Sequence, residues 1–265
     1  MLLTVDIGNT NVVLGLFDGS ALRTRWRLTT TRDRMPDEWW VQLVTLSESE
    51  GFRIHAVRSV AIASVVPSLT TAFTELARQR LGIEPFVVNG TQDVGLLLDV
   101  DHPAEVGADR ICNAIAAVER YGAPVIVVDF GTGTTFDVVD ARGAYIGGAI
   151  APGLMVAFDA LTQRAARLFT VALEPPRRTI GRNTRESLQA GTVLGYAELV
   201  RGLIRRIREE LGHEAPVIAT GGLATLVAPL VPEFSTIEPD LTLHGLRAAY
   251  ERISQRTARD ASTHR

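Results

Sequence analysis

An apolar run, Leu2 to Val5, opens the chain, breaks at a polar turn from Asp6 to Thr10, and resumes from Val12 to Phe17. Asp18-Gly19 reads as a hairpin turn, and Leu22 to Leu28 alternates with the period of two that a half-buried strand requires. Three consecutive antiparallel strands are predicted. Pro36 starts a helical stretch reaching Leu46, and Val60 to Val65 is a continuous apolar run, as a buried strand has. Pro67-Ser68 opens a helix that ends near Gly82, and Phe86 to Val88 is a further strand.

The plan then repeats. After a helix from Val106 to Arg120, strands are predicted at Val125 to Phe130, Thr135 to Val139 and Ala144 to Ile146, followed by a helix after Gly153. A long helix from Thr184 to Leu211, a strand at Val217 to Thr220, and helices after Gly222 and Asp240 complete the pattern. Asp6-Ile-Gly8-Asn-Thr10 leads through a strand to Asp18-Gly19, and Asp129-Phe-Gly131-Thr-Gly133-Thr134 leads likewise to Asp140 and Gly143. The two acidic turns lie 123 residues apart, too far for a solenoid repeat of about 20 to 50 residues and suited to a duplicated domain. The expected fold is α/β, with domains 1–104 and 105–265 that each bring a strand-turn-strand to a shared cleft.

Composition narrows the function. A chain of 265 residues, 46% hydrophobic and 22% charged, has enough apolar material for two cores and is not a disordered sequence. A net charge of -3 gives no positive field for nucleic acid, so a small ligand is expected. All 27 basic residues are arginine, which excludes a P-loop lysine. Cys112 is the one cysteine and forbids an internal disulfide; with no basic, apolar leader at the N-terminus and no run of about 18 apolar residues, a cytoplasmic protein without membrane insertion is expected.

Chemistry concentrates in three places. The first is the Asp6 turn, where a carboxylate, a glycine and the side chains of Asn9 and Thr10 could hold a metal-bound polyphosphate. A tight Asx hairpin has the same composition. The second turn, Asp129 to Thr135, repeats the logic with two glycines and three threonines, and the pairing favours a shared phosphate site over two structural turns. The third is Glu105-Val-Gly107-Ala-Asp109-Arg110 at a helix start, read either as a helix-end acid with its ion partner or as the carboxylate that phosphoryl transfer to an alcohol calls for. Ala219-Thr-Gly221-Gly222-Leu223 and Gly147-Gly148 to Gly153 are glycine-rich walls or plain loops. The five histidines, at 55, 102, 213, 244 and 264, have no metal-ligand spacing.

With these residues in view, the chain resembles the type III pantothenate kinases, also known as the Bvg accessory factor family, over nearly its whole length. The markers are Asp6-Ile-Gly-Asn-Thr10, Pro103-x-x-Val-Gly107-Ala-Asp109-Arg110, Asp129-Phe-Gly-Thr-Gly-Thr134, Gly148-x-x-x-Pro152-Gly153, Asn183-Thr184 and Leu241-Thr-Leu-His-Gly245-Leu, all in this order. The resemblance implies duplicated actin-like (ribonuclease H-like) domains, each a mixed five-stranded sheet flanked by helices. It implies transfer of a phosphoryl group from ATP to pantothenate, giving 4'-phosphopantothenate at the entry to coenzyme A synthesis, in a homodimer using Mg²⁺ and K⁺ or NH₄⁺. Carried over by residue, Asp109 is the general base, and Gly107, Ala108, Asp109, Arg110 and Thr184 contact pantothenate. Asp6, Ile7, Gly8, Asn9, Thr10, Asn11, Val12 and Val13 form the first ATP loop, with Asp6 near Mg²⁺. Thr132 belongs to the second loop, and Asp129 is the monovalent-cation ligand. One departure is Val100, where the family often has tyrosine before the acidic residue. The rival readings are a kinase of the same superfamily for another small substrate and a catalytically inactive regulatory relative.

Overall fold

The apolar runs become the strands of sheets in a computed structural model that describes residues 1–263; His264 lies outside them. Packing divides the chain into two units, one of Met1–Ala116 with the chain from Leu241 on, the other of Ala117–Asp240.

In the first unit, β1 (Leu2–Ile7), β2 (Asn11–Asp18) and β3 (Ala21–Thr29) are antiparallel, while β4 (Ser59–Ser64) and β5 (Phe86–Val87) run parallel to β1, in the order β3-β2-β1-β4-β5. Gly19, at φ 58, supplies the left-handed residue between β2 and β3. Strand alternation sends Leu3, Val5 and Ile7 with Val12, Leu14 and Leu16 into one core, shared with Trp39 and Leu43 of α1 (Pro36–Ser49) and with Leu69 and Phe73 of α2 (Pro67–Leu76). Thr4 and Asp6 therefore belong to the opposite face. A two-residue strand β6 (Leu97–Leu98) and helix α3 (Ala108–Tyr121) follow.

The second unit reuses the plan. Strands β7 (Val125–Phe130), β8 (Gly133–Val139), β9 (Ala144–Pro152), β10 (Val217–Thr220) and β11 (Thr236–Ile237) take the order β9-β8-β7-β10-β11 with the same polarities, within a sheet of six strands where five were expected. Its core joins Ile126, Val128 and Phe130 to Val200 and Ile204, and the helices are α4 (Leu154–Arg164), α5 (Thr184–Gln189), α6 (Gly195–Leu211) and α7 (Ala224–Val227). The last helix, α8 (Leu241–Thr263), packs on β1, β2 and β4 of the first unit, on the face that carries Thr4. A Cβ at Gly15 would come within 3.0 Å of Leu243, so the bare glycine is what admits the helix.

Three differences from the expected pattern have local causes. β9 continues to Pro152 because Gly147 and Gly148 stay in register with Val138 and Asp137. The long helix is interrupted by a wider π turn at Ala190–Leu194, beside Gly191 and Gly195, both poor helix formers. The division by packing also departs from the expected 104/105 boundary, since the start of α3 and all of the described α8 lie with the first unit. The sequence boundary followed the repeat, whereas helices sort by the face they cover.

Candidate active site

The first turn is closed by its glycine. Gly8 N–H donates to the Asn11 carbonyl at 2.9 Å, the Thr30 hydroxyl donates to the Gly8 carbonyl at 2.7 Å, and Thr30 N–H donates to the Thr10 carbonyl at 2.9 Å. Ile7 and Val12 are buried in the core, so from these two positions only backbone groups face the turn. Asp6 is half-buried, and Asn9 and Thr10 are exposed. Arg32, which the sequence did not single out, donates to Asn9 Oδ1 at 3.1 Å.

The second turn is built the same way, with Gly131 N–H donating to the Gly133 carbonyl at 3.0 Å. In both hairpins the acidic residue is the last but one of its strand: Asp6 lies across from Val13 and Asp129 across from Thr135. Gly153 N–H donates to the Thr132 carbonyl at 3.1 Å, and a Cβ at 153 would stand only 2.3 Å from that oxygen. Thr134 is buried and bonded to the Tyr196 hydroxyl, whose own ionisation burial pushes upward. Asp137, also buried, accepts from Thr135 Oγ1 at 2.9 Å and from the Tyr145 hydroxyl at 3.0 Å. Gly221, at φ +90, gives the Ala219–Leu223 turn a place here: a Cβ on it would lie 2.4 Å from Asp129 Oδ1. The segment read as a glycine-rich wall or a plain loop thus lies beside a carboxylate.

Asp109 stands in the first turn of α3, where the helix N-terminus favours a negative charge. Its Oδ1 accepts the Arg110 N–H at 2.9 Å and sits 2.5 Å from where a Cβ at Gly107 would be. Glycine at 107 therefore makes room for the carboxylate. One turn further along, Cys112 is fully buried, and its thiol is pushed well above the ordinary value, first by burial, then by the carboxylates of Asp6 and Asp109. Both acids thus lie within electrostatic reach of the same buried thiol.

Thr184, exposed, is the first residue of α5. Asn183 caps the helix by accepting the Glu186 N–H at 2.9 Å, and the Glu186 carboxylate accepts the Arg182 N–H at 2.9 Å. Near this helix a groove of about 460 Å³ runs between α4 and α6, lined by Leu154, Phe158, Leu161, Leu188, Tyr196 and Leu199. Among the described residues no three His, Cys, Asp or Glu side chains gather as a metal cage, and no helix is long and apolar enough to cross a membrane.

Comparison with known proteins bears on this geometry. Residues 2–206 match the family described as type III pantothenate kinase. The type III pantothenate kinase of Thermomicrobium roseum is 77% identical over 253 residues, covering 96% of this chain and 98% of the relative. That of a Roseiflexus species is 51% identical over 251 residues, covering 95% and 98%. Among solved structures, a Baf family protein from Campylobacter jejuni superposes with a TM-score of 0.59 at 19% identity, over 96% of this chain and 99% of that one, which is a likeness of fold. Near-complete coverage at this identity, with the carboxylates and glycines of the turns in place, means that the chain belongs to the type III pantothenate kinase family.

Proposed function

We propose that the protein phosphorylates pantothenate with ATP, giving 4'-phosphopantothenate, the first step of coenzyme A biosynthesis. The observation that carries the reading is the match to the type III pantothenate kinases over nearly the whole chain, in a protein whose acidic strand ends at Asp6 and Asp129 are closed by glycine turns and whose Asp109 opens a helix. In the proposed reaction the pantothenate hydroxyl oxygen attacks the γ-phosphorus, the bond to the ADP oxygen breaks, and Asp109 takes the hydroxyl proton. A loose transition state places the main demand on position and on charge neutralisation. Gly107 serves the first by leaving room for Asp109, and Arg110 the second.

Residues Asp6 to Val13 are assigned to the first nucleotide loop and Thr132 to the second, and Gly107 to Arg110 with Thr184 to pantothenate. The half-buried carboxylate of Asp6 fits Mg²⁺, which takes one or two protein carboxylates and completes its shell with phosphates and water. Asp129 is assigned to K⁺ or NH₄⁺, and the bare Cα of Gly221 leaves the room around its carboxylate that such an ion needs. The bound ions would offset phosphate charge. A homodimer is also proposed. The apolar groove and the exposed Met155, Val156 and Leu161 on α4 support it, as a surface that a second copy would cover.

The test is ADP release with ATP, Mg²⁺ and pantothenate, in K⁺ and again in Na⁺ alone. Turnover that requires pantothenate and K⁺ is expected, and Asp109→Asn should lose at least about a hundredfold in kcat while ATP affinity stays within about twofold. An Asp109→Asn enzyme with undiminished kcat would sink the assignment of the base. Folded protein with no turnover in either salt would overturn the substrate reading.

A further inference from the structure

We infer that Arg32 is a phosphate-binding residue of the first nucleotide loop, acting as a pair with Asn9. This rests on the reading of Asp6 to Val13 as that loop. The first turn carries the half-buried carboxylate of Asp6, and a nucleoside triphosphate adds further negative charge. A cationic side chain that shares this charge with the bound ions is, in a chain without lysine, an arginine. Many arginines of the protein are engaged by carboxylates: Arg78 by Glu84, Arg120 by Glu238, Arg142 by Asp140, Arg201 by Glu198 and Glu233. Arg32 is different. It is exposed, no carboxylate among the described residues pairs with it, and its hydrogen bond goes to Asn9 Oδ1 at 3.1 Å.

That bond has a chemical consequence. A guanidinium has five N–H donors in a rigid fork suited to two oxygens of a phosphate, and this contact leaves most of them available. With Oδ1 accepting from Arg32, the Asn9 side chain presents its NH₂, so both residues offer donors. Their placement is fixed from behind, because Thr30 is bonded to the backbone of Gly8 and Thr10 and so ties the Arg32 segment to the turn. The ligand chemistry is a nucleoside di- or triphosphate held through its terminal phosphates.

The experiment measures binding of adenosine, ADP and ATP to the intact protein by calorimetry, and steady-state kinetics, for wild type, Arg32→Ala and Arg32→Gln. Both variants should weaken ATP about tenfold or more, ADP less, and adenosine not at all, with the KM for pantothenate unchanged. Arg32→Gln keeps a donor for Asn9 but no charge, so its failure to rescue identifies charge as the active property. Equal affinity of Arg32→Ala and wild type for ATP would overturn the inference, as would an equal loss for all three ligands, which marks a merely structural role. Wild-type protein that binds none of the three would instead overturn the nucleotide-loop reading itself.

Discussion

At the scale of single residues, the proposed site is a set of carboxylates, two of which, Asp109 and Asp129, depend for their room on missing side-chain atoms. The carboxylates were legible in the sequence, since Asp beside Gly, Asn and Thr at a strand end has few uses. The reasons for several glycines were not. Gly107 clears Asp109 two residues away, but Gly221 clears Asp129, ninety-two positions distant, and no local pattern carries that. Arg32 was silent for the same cause: its meaning comes from Asn9, on another strand's end. Cys112 offers a direct check on the neighbourhood of Asp6 and Asp109. At pH 8 a free thiol with an ordinary pKa near 8.5 is roughly a quarter ionised, whereas burial and two carboxylates hold this one protonated. In the folded protein an aromatic disulfide reagent should leave Cys112 unmodified over an hour, and denaturant should release its reaction within minutes. Fast labelling of the native protein would mean that Cys112 is not buried as described.

At the scale of elements, strands were read better than the helices that cover them. Val217–Thr220 and Val125–Phe130 emerged with the expected limits, since continuous apolar runs with polar ends have one simple solution. The two-residue strands Leu97–Leu98 and Thr236–Ile237 are too short to show a period. The marker Leu241-Thr-Leu-His-Gly245-Leu now has a physical reason. A Cβ at Gly245 would stand 1.8 Å from the Cys112 carbonyl, Thr242 Oγ1 donates to buried Asn113 at 2.8 Å, and His244 meets the edge of Phe17. Helix α8 thereby fixes α3 next to Asp109. Gly245→Ala should cost roughly 2–4 kcal/mol by overpacking, lower Tm by roughly 5–15 °C, and reduce kcat more than it changes the KM for ATP. Gly202→Ala, in α6 where an added Cβ meets nothing, is the control and should be neutral or stabilising by about 0.5–1 kcal/mol. If both variants melt together, the close crossing is not what holds α3.

At the scale of the whole molecule, duplication explains why one half predicts the other. β1 and β7 share the same sequence of buried and half-buried positions, with the acidic residue the half-buried one before a final buried residue, and their sheets share strand order and polarity. The repeat does not set the packing units, however, because α8 is far from β1 in sequence yet covers β1, β2 and β4. Chain order and packing therefore make opposite forecasts for a protein ended at Asp240. If 105–265 folded as one unit, the cut would damage the second half. With α8 assigned by packing to the first, the damage falls on the other side: Thr4, Gly15 and the buried face of α3 lose their cover, while the core of Ile126, Val128, Phe130, Val200 and Ile204 keeps all its members. Hydrogen exchange on the truncated chain should show amide protection reduced by at least about a hundredfold in β1, β2 and β4 and retained in β7, β8 and β10. Protection lost equally from both sheets would show that the two units fold as one cooperative body, and loss confined to β7 to β10 would restore the division drawn from the repeat.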